Sequence, residues 1–349
     1  MPNNRTDYFV KDVKILNEDT VHTENQLVTL IVGSSSPFTT EVVSVKNPFI
    51  TDKLVTLLIE DKVSAQLHDF DSLKSISSLA RGVRNALLNR YYLLSPAHKI
   101  QSTIFDVRSI EPNNIAHLIV HIIPLCLYVR SIVGSDIQFL FRKVSPSFKK
   151  LLAEFGIIPL SINKKIQGTF VRLYAKHRLA RYNILDNHSC HPSTFLSNIY
   201  DQYQFKSPLI NKKKLFISRR GARGLLNHDE TAVMLEQRGY ETIFMEDYNM
   251  SEQLGIASEA SHVVAVHGAS MGMLVLNKHI ENLIEIMPPN VYEEYFGIAL
   301  AGCVQKHIQI ISSFDEEVAY NGWSAIVHFK NKPFSVNLSQ LSYALDLNQ

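Results

Sequence analysis

In the second half of the chain, short apolar runs of strand length alternate with segments of helical periodicity, and the connections between them are only a few residues long. Residues 215–218 read as a strand, 229–238 as a helix stopped by Gly239, and 242–245 as the next strand. A helix over 252–260, a strand over 262–266, a helix from about 270, a strand over 283–286, a helix near 292–302 and a strand over 308–311 follow. Successive strands joined through helices can pair only in parallel, so this pattern predicts a parallel, doubly wound sheet. Ligands of such sheets sit outside the carboxyl ends of the strands, which directs attention to the loops after Ser218, Met245, Val266 and Ile286.

The first half is also α/β but less regular. Short strands are expected between residues 27 and 60, interrupted by the turn Gly33-Ser34-Ser35-Ser36-Pro37. Leu73, Ile76, Ala80, Val83 and Leu87 then recur at helical spacing. A strand near Ile104, an apolar helix over 114–132, a strand over 137–141 and a helix over 146–155 closed by Gly156 complete the alternation. The chain has 349 residues, 46% of them hydrophobic, enough for two domains with separate cores. The boundary is placed near Ser207-Pro208, giving an N-terminal domain over 1–206 and a C-terminal domain over 207–349, whose last segment is expected to return to the first domain.

Lys and Arg number 35 against 33 Asp and Glu, and a net charge of +2 argues against a protein that coats nucleic acid. Where the charge clusters is more informative. Lys164-Lys165 reads as a solvated face, whereas Lys212-Lys213-Lys214 and Arg219-Arg220 with Arg223 flank one predicted strand. The N-terminal dozen residues lack the apolar core of a signal peptide, and the longest nearly unbroken apolar run, 118–129, falls short of the ~20 residues that span a bilayer. A cytoplasmic protein is expected, a peripheral contact with the inner membrane remaining compatible with that. Cys126, Cys190 and Cys303 stand far apart without CxxC spacing, which indicates neither a zinc site nor a disulfide framework.

Each loop at the carboxyl edge carries polar residues. Arg219, Arg220 and Arg223, with Gly221 and Gly224 between them, could pair bidentately with a diphosphate. Arginines also end strands merely to stay solvated. His267-Gly268-Ala269-Ser270 lies directly before a predicted helix, where small residues let an anion approach the first N–H groups. Glu285 sits inside an apolar strand, costly unless something binds it; a ribose diol and a local lysine are both suitable partners. Asn227 with Glu230 and Asn249 with Glu252 fit capping boxes, while Gln253 has no capping role and is a candidate donor contact. His117 and His121 lie four apart on one helix face. They lack an HExxH context and a third ligand, so they are either a buried pair or contain a general base. No GxGxxG follows any predicted strand, against an NAD-dependent enzyme.

In order and spacing, Ser218-Arg219-Arg220, Asn227 with Glu230, Gly239-Tyr240, Ser251-Glu252-Gln253, Val266-His267-Gly268-Ala269-Ser270 and Glu285 with Pro288 resemble the motifs of glycosyltransferase family 61. The resemblance covers roughly residues 113–302. In the first half, Asn113 or Asn114, His117, His121 and Pro124 resemble the family's Asn-x-x-His, acidic residue and Pro, with His121 standing where the family carries its acid. Ser270 and Met273 depart from the usual Gly and Asn. The resemblance implies a GT-B arrangement: two Rossmann-like domains facing across a cleft, with the nucleotide-sugar donor in the C-terminal one and a glycan or lipid-linked glycan acceptor in the other. It implies an inverting glycosyltransferase of surface or capsular polysaccharide assembly that needs no cofactor and no tightly bound metal. The site would comprise His121 as the catalytic base with His117 supporting it, and Arg219, Arg220, Asn227, Gln253, His267, Gly268, Ala269, Ser270 and Glu285 around the donor. The alternative is a catalytically degenerate member that binds a nucleotide or glycan within such a complex, an idea that the three departures favour.

Overall fold

The computed structural model describes residues 6–9, 12–21, 26–32, 40–46, 51–67, 98–107, 112–161, 166–174, 200, 202–209, 213–221, 223–277, 279–289, 295–300, 303–311 and 332–347. The predicted helix over 73–87, the Gly33–Pro37 turn, Lys164-Lys165 and Cys190 lie outside them. The chain divides into two compact units, Met1–Val21 with Thr51–Ser189, and His22–Ile50 with Cys190–Gln349.

The first unit is built on a mixed sheet of β1 (Thr6–Phe9), β2 (Asp12–Val21), β5 (Thr51–Leu67), β6 (His98–Asp106), β7 (Ile137–Phe141), β8 (Pro159–Ser161) and β9 (Ile166–Tyr174). Its order is β1-β5-β9-β6-β7-β8, with β2 also paired to β5. The run from β9 through β6 and β7 to β8 is parallel, and β5 joins it antiparallel. Helix α1 starts as Ile115–His117, with the Asn114 side chain accepting from the Ala116 N–H, widens into a π turn at Leu118–Ile122 and continues as Ile123–Val133. The predicted regular helix is thus interrupted. Pro124 lacks an N–H and its ring would strike the carbonyl one turn back, and a π turn directly before it relieves that conflict. Helix α2 (Pro146–Glu154) starts at Ser145, whose hydroxyl accepts from the Phe148 N–H, and ends where Gly156 takes φ +65°. Arg130 of α1 donates to the Phe155 and Gly156 carbonyls and lies over the Phe139 ring, joining both helices to β7.

The second unit contains an all-parallel five-stranded sheet: β10 (Lys214–Ser218), β11 (Glu241–Phe244), β12 (His262–Val266), β13 (Ile280–Met287) and β14 (Val304–Ile311), in the order β11-β10-β12-β13-β14. A separate antiparallel pair, β3 (Gln26–Val32) with β4 (Thr40–Lys46), also falls in this unit. Between the strands run α3 (His228–Glu236), α4 (Met250–Glu259) and α5 (Tyr295–Leu300), and α6 (Leu338–Asp346) closes the described chain. The order of strand addition reverses between β10 and β12, which makes the gap between their carboxyl ends the topological switch point.

Alternation sorts the strand residues onto two faces. Phe216, Val264, Val266, Ile284, Ile286, Ile308 and Ile310 form one core with Ala232 and Leu235 of α3 and Leu341, Ala344 and Leu345 of α6. The closing segment, expected against the first domain, has its partners here: Phe334 and Val336 belong to this core, Leu225 bridges to Phe334, and Arg238 bonds to Ser342 and Asp346. No described helix is long and apolar enough to cross a membrane.

Helix α4 is held against the 206–207 backbone through a glycine. A Cβ at Gly255 would lie 2.1 Å from the Lys206 carbonyl oxygen, backbone that no side-chain rotation can clear. Gly255→Ala should therefore destabilise the protein by about 1–3 kcal/mol despite alanine's better helix propensity. Denaturant unfolding checks this, and an unchanged midpoint would mean that the 206–207 segment does not pack on α4.

Candidate active site

Two loops meet at the switch point. After β10 the chain turns sharply, with Gly221 at φ +69° and Arg223 at φ +67°, a conformation glycine adopts without penalty and arginine does not. This turn lays the Arg219 guanidinium directly against the loop after β12: a Cβ at Gly268 would fall 2.5 Å from Arg219 Nη1. Gly268 itself is extended, at φ 177°, so its backbone would suit any residue, and a side chain there would have to displace the tip of Arg219. Partial burial lowers the Arg219 pKa against the opposing pull of Glu246, and an arginine keeps its charge all the same. Arg219, His267 and Gly268 are thus brought together at one edge.

Arg220 points elsewhere. Its two terminal nitrogens donate to the Asp247 carboxylate at 2.5 and 2.8 Å, its plane lies 3.9 Å from the Phe244 ring centroid, and its N–H donates to Glu246. The hydrogen bond to Asp247 raises the Arg220 pKa and lowers that of Asp247. Both side chains are about half exposed, so the pair contributes little to stability.

Ala269 and Ser270 are partly exposed at the start of a 3₁₀ helix, Ala269–Leu276, where an α-helix is expected from the sequence. Met271, Met273, Leu274 and Val275 in it are buried, so Met273 is part of the core. The His267 ring behind this loop is 7% exposed and packs edge-on against Phe296 of α5, with ring centroids 5.6 Å apart. Its Nδ1 lies 2.6 Å from Glu285 Oε1.

Glu285 is fully buried, and its second oxygen accepts from His307 Nε2 at 3.0 Å and Gln309 Nε2 at 2.9 Å. The parallel register creates this cluster, since Glu285 stands beside Gln309 on β14 and beside Ala265 on β12, two residues before His267. Burial pushes the Glu285 carboxyl up, but the hydrogen bonds and charge of His267 and His307 outweigh it and hold the pKa at about 2. The expectation of Glu285 on a ribose diol is corrected accordingly: the carboxylate has no face open to a ligand, because three side chains fill its acceptor sites. His307 and Gln309 escaped the sequence reading. Their signal was two polar residues alternating with isoleucine on the strand after the one carrying a glutamate.

Two other expectations change. Asn227 stands at the N-cap of α3 without a side-chain cap bond; its amide instead donates to the Val336 carbonyl and accepts from the Val336 N–H, in the manner of a strand partner, so the expected capping box does not form. Gln253 is buried and donates to the Tyr248 carbonyl, a structural bond that answers the question its sequence position raised. The Asn249–Glu252 capping box is present as expected. In the first unit, His117 and His121 keep their ring contact across the π turn, with centroids 5.8 Å apart. His121 is 1% exposed, whereas His117 is partly exposed, so His117 is the one of the pair that meets solvent. Among the described residues no three His, Cys, Asp or Glu are arranged to hold a metal ion; in the Glu285 cluster the histidine nitrogens point at the carboxylate rather than at a shared centre.

The Glu285 pKa has a consequence for acid stability. Because the folded value lies below the ~4.3 of an unfolded glutamate, its contribution is complete above that pH and is lost as pH falls toward 2. Glu285→Gln should cost about 1–3 kcal/mol at neutral pH, since one donor loses its acceptor. It should also flatten the decline in stability between roughly pH 4.5 and 2. Urea unfolding at a series of pH values checks both, and a variant with the wild-type slope would place the acid sensitivity elsewhere.

The model of the family described as Glycosyltransferase 61 matches residues 115–290, about half of the chain and all of the loops above. No curated protein sequence matches. Among solved structures, the chain is similar to the dodecameric iron-containing heptosyltransferase TibC in complex with ADP-D-β-D-heptose, with TM-score 0.35 and 10% identity over 82% of this chain and 80% of that one. It is likewise similar to TibC from enterotoxigenic E. coli H10407, with TM-score 0.34 and 11% identity over 81% and 80%. On a sequence match that spans half of it, from α1 through β13, the chain belongs to glycosyltransferase family 61.

Proposed function

We propose that this glycosyltransferase is an inverting enzyme that moves a sugar from a nucleotide-sugar donor to a hydroxyl of a glycan or lipid-linked glycan, and that the donor diphosphate lies at the switch point of the second unit's sheet. The observation that carries this reading is the Arg219 guanidinium laid against Gly268, beside His267 and the partly exposed start of the 269–276 turn. An arginine fork next to a loop of small residues offers charge and close approach together. In the transfer, the acceptor oxygen forms a bond to the anomeric carbon while the bond from that carbon to the diphosphate breaks. The electron pair leaves on the diphosphate, and Arg219 is placed to stabilise the developing charge. The acceptor proton passes to a base. Family resemblance puts that base in the first unit, in a GT-B arrangement, and its exposure makes His117 the better candidate, with the buried His121 supporting it. A role in surface or capsular polysaccharide assembly, in the cytoplasm and peripheral to its membrane, completes the proposal.

A second reading, a member that binds a nucleotide or glycan without turnover, is favoured by one observation: a buried histidine stands where the family's acid is expected. Thermal shifts with a panel of UDP-, GDP- and CMP-sugars, followed by transfer assays with the stabilising donor, separate the two. Binding with transfer supports the enzyme, and binding without transfer supports the second reading.

Arg219→Ala should weaken the stabilising nucleotide sugar by about 1.5–3 kcal/mol in calorimetry, the worth of a charge-assisted hydrogen bond. Arg220→Ala should cost less, because its guanidinium is already engaged by Asp247. The reverse ranking would move the diphosphate toward Arg220. His117→Ala should lower the transfer rate ~100- to 10,000-fold with donor affinity nearly unchanged. A wild-type rate in that variant would remove His117 from the mechanism.

A further inference from the structure

The cluster behind His267 is unusual for its place. Its strands otherwise bury Val, Ile, Leu, Ala and Met, and a buried ionic group often contributes no more stability than well-packed apolar residues. The cluster also leaves a loose end: the His307 Nδ1 is buried without a hydrogen-bond partner, at a cost that an apolar residue at 307 would avoid. A purely structural role does not account for this, and a role acting through the one member that reaches the loop edge does.

We propose that Glu285, His307 and Gln309 are positioning residues for His267, holding its Nδ1–H on the carboxylate so that Nε2–H of the doubly protonated ring is turned toward the donor diphosphate, whose oxygens only accept. The chemistry of the contacts requires this sense. A carboxylate only accepts, so the His267 nitrogen facing Glu285 Oε1 is Nδ1–H, and the His307 nitrogen facing Oε2 is Nε2–H. Turning the His267 ring over would lose the 2.6 Å bond, and Phe296 confines the ring from another side. Glu285 cannot follow the ring either, because two donors from β14 pin its second oxygen. Rigidity therefore passes from β14 through Glu285 to His267, which adjoins Gly268 and the Arg219 guanidinium. The inference rests on the donor reading above and adds to it a second layer on β14 that touches no ligand.

The test has two parts. In the wild-type protein, ¹⁵N NMR of the histidine side chains should show a hydrogen on both His267 nitrogens; a bare Nδ1 or Nε2 overturns the proposal without any variant. Calorimetry with ADP, UDP, GDP and CDP then measures the effect on affinity. For the nucleotide that binds, Glu285→Gln should weaken affinity ~10- to 100-fold, the range set by loss of such an outer partner, and should also change the His267 ¹⁵N pattern. His307→Gln should weaken it less. Because both act through one ring, Glu285→Gln should add nothing to the loss caused by His267→Ala. If Glu285→Gln binds like wild type while His267→Ala does not, the positioning role falls and the donor site stands. If the wild type binds none of the four nucleotides, the donor site falls and the positioning role falls with it.

Discussion

A carboxylate withdrawn entirely from water must be surrounded by donors or it does not stay charged, and the parallel sheet of the second unit is arranged to supply them. Glu285 takes hydrogen bonds from a loop residue after β12 and from two side chains of β14, so a single group joins three successive strands at their carboxyl half. Register makes this possible. In a parallel ladder, residues two apart on neighbouring strands share a face, and the pairing of Glu285 with Gln309 brings His307 into reach as well. A slip of β13 by one residue would turn Glu285 away from His307 and Gln309, toward the face that carries Phe216, Val264, Ile284 and Ile308.

On that opposite face the fold solves a different problem. The sheet needs cover, and the closing segment provides it, with Phe334, Val336 and the apolar side of α6 entering the same core as α3. Asn227 shows how firmly the segment is attached, since its amide replaces a strand partner for Val336 and leaves the start of α3 without a side-chain cap. The result is a sheet whose one face is closed by apolar packing while the other carries a polar cluster leading to its edge. Arg219 and Gly268 meet at that edge because β10 and β12 flank the point where the strand order reverses.

In the first unit the corresponding feature is a helix that is not regular. Pro124 forces an adjustment in α1, and the π turn that accommodates it carries His121 into the interior while His117, one turn earlier, keeps partial access to solvent. Spacing alone puts the two rings on one side of the helix, and the structure keeps them in contact. It also assigns them different surroundings, which a repeat of four could not do.

The sequence by itself determined the α/β class, the parallel order of elements in the second half and the loops where polar residues gather. These depend on the period of apolar residues, on glycines at helix ends and on the direction that short connections impose, all of which are local. Even the 262–266 and 137–141 strands were legible to the residue. Only the tertiary structure decided which polar residues face outward. Arg219 and Arg220 are adjacent and chemically identical, yet one lies against Gly268 and the other is taken by Asp247. Glu285 and Asn227 looked available to a ligand and are satisfied by His307, Gln309 and Val336, residues 22, 24 and 109 positions away. A side chain's hydrogen-bonding capacity is fixed by its identity, but the partner that fills it is chosen by register and packing between segments distant in the chain, and no local pattern encodes that choice.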